Sequence, residues 1–263
     1  MPTLPRSSTQ RAFVHTRASF VAGAWGCFMA IGLFPIGVQA ASPAGVVMPA
    51  GGGMLGSAGT FAILAGSTVT VASSTTTIVG DVGVSPGTSI TGLPLGQPTG
   101  GSVHNNDGVA AAAQSDLTTA YNTLAGMPCI TTLTGQDLGG LILTPGVYCF
   151  ADSAQLTGTV TLDGSGLYVI QIASKITSAS SAAVNLINGA EAQNVYWQIG
   201  SSATIGTSTA FAGNIVALTS ISLGTDTSLN GRALARNGAV TLDPGATPAL
   251  PMSWGHVKAR YHQ

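Results

Sequence analysis

Residues 204–215 read TIGTSTAFAGNI, and residues 222–233, 18 positions later, read SLGTDTSLNGRA. Both stretches have Gly at the third and tenth positions and Thr at the fourth and sixth. The pair Thr241-Leu242 follows 19 residues after Ser222-Leu223. Self-similarity at such a period is typical of a solenoid, in which each coil of chain stacks on the previous one. A coil of this length has room for about three short strands and their corners.

Other parts of the chain carry weaker copies of the same pattern. An apolar-x-Gly-x-apolar motif occurs at residues 78–82 and 156–160. Residues 68–71 and 159–162 alternate between polar and apolar side chains, residues 167–170 read LYVI, and Gly, Asp, Pro or Ser residues bound these segments. This alternation predicts short strands with one apolar side. We therefore expect a mainly β protein.

One segment, from Asp107 to Leu124, has the spacing of an α-helix. Apolar residues recur there every three or four positions, at Val109, Ala113, Leu117, Ala120 and Leu124. Asn106 or Asp107 can cap the start of this helix, and Gly126 can end it. Because the coil motif occurs on both sides of the segment, we expect the helix to leave the stack and to pack along its side.

Composition argues against several classes of partner. Charged residues make up 6% of the chain, against roughly 25% in ordinary soluble proteins. The formal net charge is -1, and Lys and Arg do not cluster. The chain therefore has no electrostatic footprint for a nucleic acid or an anionic membrane surface.

The amino terminus resembles a secretory signal peptide. Three arginines within the first 17 residues precede an apolar stretch at residues 20–38, and the tripeptide at 38–40 is a small-x-small cleavage site. An uncleaved membrane anchor is the alternative. We expect a signal peptide at 1–40, a Gly/Pro/Ala-rich linker at 41–53, a solenoid domain at 54–252 and a C-terminal tail at 253–263. The protein would then be secreted, either free or retained at the cell surface.

Two cysteines, Cys129 and Cys149, follow the signal segment. In an oxidising compartment such a pair suggests one disulfide, whereas a metal site or two buried thiols are the alternatives. His104 is the only histidine between the signal segment and the last few residues, and no CxxC spacing occurs. We expect neither a metal nor a cofactor.

Acidic residues give little support for catalysis. Glu191 is the only glutamate, and the eight aspartates are scattered, mostly beside turn residues. Turn and cap roles suit them better than chemistry, so we expect no enzyme. A polysaccharide-cleaving pair of distant aspartates stays open as an alternative.

Threonines of the repeat are the candidate functional residues. Thr207, Thr209, Thr225 and Thr227 hold equivalent positions in successive coils. They would form ranks about 4.8 Å apart, with alternate residues of one strand about 7 Å apart. Such a grid is regular, flat and uncharged, and it could hold water at spacings close to those of oxygens on ice planes. The alternative is that Thr is simply a favourable outward-facing strand residue.

Five segments together resemble the microbial ice-binding protein family. They are residues 80–87, the helix at 106–124, and residues 145–148, 195–200 and 230–243. Their sequences are GDVGVSPG, NDGVAAAAQSDLTTAYNTL, PGVY, VYWQIG and NGRALARNGAVTLD. The resemblance runs from about Leu55 to Leu250. It implies a discontinuous right-handed β-solenoid of triangular cross-section with one long α-helix packed alongside.

The resemblance also implies non-enzymatic adsorption to ice through one flat face, with thermal hysteresis or inhibition of ice recrystallisation. Some family members carry a Thr-Ala/Gly-x-Thr/Asn pattern there, which residues 182–185, 209–212 and 227–230 match imperfectly. We predict a monomer that binds the ice surface through nine residues: Thr207, Thr209, Thr225, Thr227, Asn230, Thr157, Thr159, Asn185 and Ala212. An extracellular adhesive or structural module without ice activity is the alternative function.

Overall fold

The computed structural model describes residues 53–251. The predicted signal peptide, all but the last residue of the linker, and the predicted C-terminal tail lie outside these residues. Within them the chain forms 20 short strands, one α-helix and two 3-10 helices, at Gly53–Thr60 and Ala192–Asn194. All strand pairs are parallel, as a solenoid requires.

The first wall of the solenoid lies beneath the helix, and we call its outward side the helix-side face. Its strands stack in the order β5 (Val103–Asn105), β3 (Asp81–Val84), β1 (Phe61–Ala65), β18 (Ser228–Ala235), β16 (Ala210–Ala217), β14 (Val195–Ile199), β11 (Tyr168–Ile172), β8 (Gly146–Phe150) and β6 (Thr131–Thr132).

The second wall is a separate seven-stranded sheet, and we call its outward side the open face. Its order is β4 (Ser89–Thr91), β2 (Thr68–Val71), β19 (Val240–Leu242), β17 (Ile221–Leu223), β15 (Ala203–Ile205), β12 (Ile176–Ser178) and β9 (Ala154–Leu156).

The third wall is less regular, and we call its outward side the third face. It consists of β7 (Ile142–Leu143), β10 (Thr159–Asp163), β13 (Ala183–Ile187), the first residues of β16 and β18, and β20 (Thr247–Ala249). β16 and β18 are each eight residues long and turn from the third wall into the first.

The order of stacking differs from the order of the chain. β1 pairs with β18 and β2 pairs with β19, so the first coils of the chain lie on top of the last one. The helix α1 (Gly108–Ala125) separates β5, at this end of the stack, from β6, at the other end. From β6 the chain then builds the stack back toward its own beginning. The predicted mainly β fold with one long helix is confirmed, including the discontinuity.

The helix begins and ends close to the predicted positions. Asp107 caps it by accepting a hydrogen bond from the Ala110 amide, and Gly126 ends it. One predicted contact is wrong, because Val109 is 49% exposed and Ala110 is buried instead. The remaining stripe packs against the helix-side face, as its period predicts; its buried residues are Ala110, Ala113, Leu117, Ala120, Tyr121 and Leu124.

Cys129 and Cys149 form a disulfide, as the sequence suggested. It ties the segment after the helix to β8, beside Gln171 on β11. The Gln171 side-chain amide donates hydrogen bonds to the carbonyl oxygens of Leu124 and Met127 at 2.7 and 2.9 Å. The Leu124 carbonyl belongs to the last turn of the helix, where carbonyls lack the regular intrahelical partner, and Met127 lies just beyond the helix end.

Candidate functional site

The helix covers the outward side of the first wall. Side chains that point out from this wall, such as Val169, Tyr196, Val216 and Leu234, are buried in a second apolar cluster together with the helix stripe. The helix-side face therefore offers little surface to an external partner. A binding surface must be sought on the other two faces.

The open face carries a straight rank of small polar side chains. On five of the strands the central residue points outward, and its neighbours on most strands are buried in the core. On β2 the outward residue is the third, Thr70, and on β4 it is the last, Thr91. The strand registers join these outward residues from one end of the sheet to the other. In stacking order the rank is Gln155, Thr177, Thr204, Ser222, Thr241, Thr70 and Thr91.

Six of these seven side chains are exposed, and Thr241 is half-buried. Five are threonines, and none carries a charge. Thr68 and Ser89, which pair in register two residues earlier, begin a parallel rank. Ser220 and Ser202 have the same offset, immediately before β17 and β15, and are half-buried.

Strand geometry fixes the dimensions of this surface. Seven strands at about 4.8 Å give a rank about 29 Å long, with the next rank about 7 Å away. Threonine is β-branched and has few rotamers, so its hydroxyl and methyl groups are held in nearly fixed positions. Lys175 precedes β12 and Asp243 follows β19, and both are exposed. The charges of the open face therefore lie at its margins.

The third face is interrupted. β13 and β16 pair at a single position, Ala183 with Ala210, because residues 188–194 leave the coil before the chain enters β14. At one end of this face a groove of about 450 Å³ is lined by Val79, Leu229, Ala249 and Leu250, together with polar neighbours. A rigid flat partner would meet gaps and steps on this surface.

Thr209 and Thr227 do not reach either surface. Their exposures are 1% and 0%, and their hydroxyls donate to the backbone oxygens of Ala179 and Gly206. The prediction that they face a partner is therefore wrong. Ala212, at 5% exposure, is also buried.

The other predicted residues are divided between two places. Thr157, Thr207 and Thr225 lie in the turns between the open face and the third face, where Thr157 and Thr207 are exposed and Thr225 is half-buried. Thr159, Asn185 and Asn230 are exposed on the third face. The nine residues therefore do not form one flat surface.

Sequence reasoning missed the open-face rank, although the repeat contained it. The repeat aligns Thr204, Ser222 and Thr241, each flanked by apolar residues. A single polar residue between two apolar ones is the signal of a short strand with an outward centre. That triplet would have identified the rank.

Several aspartates have structural roles. Asp107 caps the helix, and the Ala110 amide, followed by the His104 side chain, lowers the pKa of its carboxyl. Burial raises the pKa of the Asp137 carboxyl, but the hydrogen bonds that it accepts from Thr157 and Gly139 outweigh this effect, so the pKa is lowered. Within residues 53–251 no three His, Cys, Asp or Glu side chains are grouped in a way that could hold a metal ion. In the same range, no helix has the length and apolarity to cross a membrane.

Comparison with known proteins agrees with this architecture. The sequence profile described as "Ice-binding-like" matches residues 63–246. An ice-binding protein of Nostoc sp. (strain HG1) is 53% identical over 195 residues, which cover 72% of this chain and 71% of the relative. An ice-binding protein of Colwellia sp. is 36% identical over 217 residues, which cover 76% and 85%.

Solved structures give the same result. The crystal structure of an ice-binding protein from an Antarctic biological consortium aligns with a TM-score of 0.70 at 42% identity, covering 84% of this chain and 97% of that one. The ice-binding protein of the Antarctic ascomycete Antarctomyces psychrotrophicus aligns with a TM-score of 0.72 at 38% identity, covering 76% and 98%. The family resemblance inferred from the sequence is confirmed, and this chain belongs to the ice-binding protein family.

Proposed function

We propose that this protein adsorbs to ice through the open face and thereby inhibits ice growth and recrystallisation. The observation that carries the proposal is the register-locked rank from Gln155 to Thr91, with five threonines and one serine among its seven residues. Membership of the family and the names of the relatives support ice as the partner.

A crystal surface favours this kind of binding site. Each contact between a methyl or hydroxyl group and a lattice water is weak, so many contacts must form in register before they add up. Stiff side chains on paired strands lose little conformational freedom when they bind. Water held along the threonine-rich rank would belong to the ice lattice and to the protein at the same time.

The turn residues Thr157, Thr207 and Thr225 extend the proposed surface toward its margin. Thr159, Asn185 and Asn230 belong to the third face and form the competing surface. The groove and the broken pairing between β13 and β16 disfavour the third face for a flat lattice.

A pair of tyrosine substitutions tests the proposal. Thr204→Tyr places a bulky ring in the middle of the open face, and Asn230→Tyr places the same ring on the third face. Both positions are exposed, so neither change should prevent folding. We expect Thr204→Tyr to lose most thermal hysteresis and most partitioning into growing ice, and Asn230→Tyr to keep both. The opposite outcome, with both variants folded, would assign the activity to the third face.

We further propose that the chain acts outside the cell, as a monomer and without catalysis. The signal-like composition of residues 1–40 and the Cys129–Cys149 disulfide support export. Mass determination of the protein recovered from culture medium would test cleavage near residue 40. A folded protein that adheres to surfaces but leaves ice growth unchanged would favour the adhesive or structural module instead.

A further inference from the structure

Three buried hydroxyl groups lie beneath the corner at which the open face meets the third face. They belong to Ser178, Thr209 and Thr227, whose exposures are 4%, 1% and 0%. Most residues that point into the core at this level are aliphatic, such as Leu156, Ile205 and Leu223. Burying a hydroxyl in an apolar core costs free energy unless the hydroxyl is hydrogen-bonded. The hydrogen-bond partners of these three hydroxyls therefore indicate which parts of the backbone they fix.

The hydroxyls form a directed chain of hydrogen bonds between coils. The Gly206 amide donates to Ser178 Oγ at 2.8 Å, and Thr209 Oγ1 donates to the Ala179 carbonyl at 3.1 Å. Each hydroxyl has one proton, so Ser178 is the donor in its 3.3 Å contact with Thr209. On the other side, Thr227 Oγ1 donates to the Gly206 carbonyl at 3.0 Å. Side-chain hydroxyls thus hold both polar backbone groups of Gly206.

This chain lies where the backbone ladder of the open sheet is shortest. β12 and β15 pair at two positions, whereas every other pair of neighbours in this sheet pairs at three. The missing position is the one at which Ser178 would face Ile205. The hydroxyls therefore replace a backbone contact between the coil that carries Thr177 and the coil that carries Thr204.

Gly206 makes the approach of the two coils possible. A Cβ atom at this position would lie 2.7 Å from the carbonyl oxygens of both Ala179 and Ser178. The flanking coils have Ala182 and Ala246 at the inward corner position of Thr209 and Thr227, so they lack the hydroxyl. This chain of buried hydroxyls is therefore confined to the coils in the middle of the stack.

We infer that Ser178, Thr209 and Thr227 are positioning residues that keep Thr177 and Thr204 in the common plane of the open-face rank. This inference rests on the proposed function. Thr209 and Thr227, which belong to the family-like pattern, thus contribute to ice binding without contacting ice, because they align the surface residues above them.

Isosteric variants test the inference. Thr209→Val and Thr227→Val remove a hydroxyl and keep the shape, Thr→Ser at the same positions keeps the hydroxyl, and Ser178→Ala removes the middle of the chain. Ile170→Val is the stability control, because Ile170 is buried in β11, away from the open face. At a temperature at which all variants are folded, we expect the Val and Ala variants to show about fivefold weaker ice affinity. They should also bind a changed set of ice planes, which a uniform loss of stability would not alter.

The Ser variants and Ile170→Val should keep wild-type affinity and planes. Folded Val and Ala variants with wild-type ice binding would overturn the inference, as would an equal loss in Ile170→Val. Thr204→Tyr distinguishes a failure of the proposed open-face function from a failure of the positioning role. If it retains activity, the proposed open face is wrong; if it loses activity while the Val variants do not, only the positioning role is wrong.

Discussion

At the scale of single residues, Asp116 on the helix holds the 3-10 helix that precedes the first strand. Its carboxylate accepts hydrogen bonds from the Ser57 amide at 2.7 Å and the Ser57 hydroxyl at 2.6 Å. These donors, the hydroxyl first, lower the pKa of Asp116 below its ordinary value of 3.8. A carboxyl with a lowered folded pKa stabilises the protein above its unfolded pKa, and this stabilisation is lost as pH falls through the folded value.

Asp116→Ala should therefore have a pH-dependent effect. Near neutral pH we expect the free energy of unfolding to fall by about 1 kcal/mol, a value discounted for solvent screening. Below the lowered pKa the difference from wild type should shrink toward zero. Urea titrations at pH 7 and pH 2 measure both values, and Ser115→Ala, on the exposed side of the helix, is the control. A difference that stays constant with pH would contradict the assigned role.

Two residues at the corners, Ser208 and Asp226, have left-handed backbones with a φ of 56° each. They stand between Thr207 and Thr209 and between Thr225 and Thr227. Alternation of side chains continues along an extended strand but is reset at a left-handed residue. The sequence does not reveal this reset, so the sequence-based prediction placed both threonines of each pair on the same side. The equivalent positions were predictable, and the direction of each side chain was not.

Ser208→Val should be costly, because a β-branched residue is strained in the left-handed region. We expect a loss of about 1–2 kcal/mol of stability, whereas Thr207→Val, one residue earlier and exposed, should change stability little. Thermal unfolding of both variants provides the measurement. Equal melting temperatures would mean that the corner tolerates any side chain.

At the scale of elements, Arg232 joins β18 to the 3-10 helix at Gly53–Thr60. Its guanidinium donates to the Gly59 carbonyl from Nε at 2.9 Å and from Nη2 at 2.7 Å, and to Asn214 Oδ1 at 2.7 Å. Asn214 in turn donates to carbonyl oxygens of residues 192–195, in the segment that leaves the coil. One half-buried arginine thus connects three elements.

Arg232→Ala leaves the Gly59 and Asn214 oxygens without these donors inside the protein. We expect a loss of about 3 kcal/mol, since several charge-assisted hydrogen bonds disappear together. Arg236→Ala is the matched control: Arg236 is half-buried and stacks 4.7 Å from the ring centre of Tyr121. Its removal should cost about 0.5–1 kcal/mol. Similar losses in the two variants, measured by chemical denaturation, would refute the connecting role of Arg232.

The sequence predicted elements better than it predicted surfaces. The 18-residue repeat and the three-to-four spacing of the helix are local patterns, and both identified their elements. The excursion at residues 188–194 lengthens one coil and breaks the pairing of β13 with β16. No local sequence pattern predicts that break, so the unevenness of the third face could be recognised only from the three-dimensional structure.

At the scale of the whole molecule, the disulfide fixes the end of the helix to the far end of the stack. It spans 20 residues of sequence. Restricting the unfolded chain by a loop of this length is worth about 3 kcal/mol. The joined segments lie at the end of the molecule opposite to β4.

The Cys129→Ser/Cys149→Ser double variant should melt at a lower temperature and lose about 3 kcal/mol of stability. Below its melting temperature it should keep its thermal hysteresis, because the open face is not altered. A thiol reductant should lower the melting temperature of wild type and leave the double variant unchanged. A reductant effect on the double variant would show that the reductant acts elsewhere.

The seating of the first coils on the last one has a consequence for biosynthesis. Ile63 pairs with Ala233 and Val69 with Val240. Strands β1 and β2 can therefore complete their pairing only after nearly the entire polypeptide has been synthesised. Contacts between such distant positions close slowly. A ribosome-bound fragment that ends before residue 228 would leave the edges of both β1 and β16 that pair with β18 uncovered, and the finished structure cannot assemble until translation is almost complete.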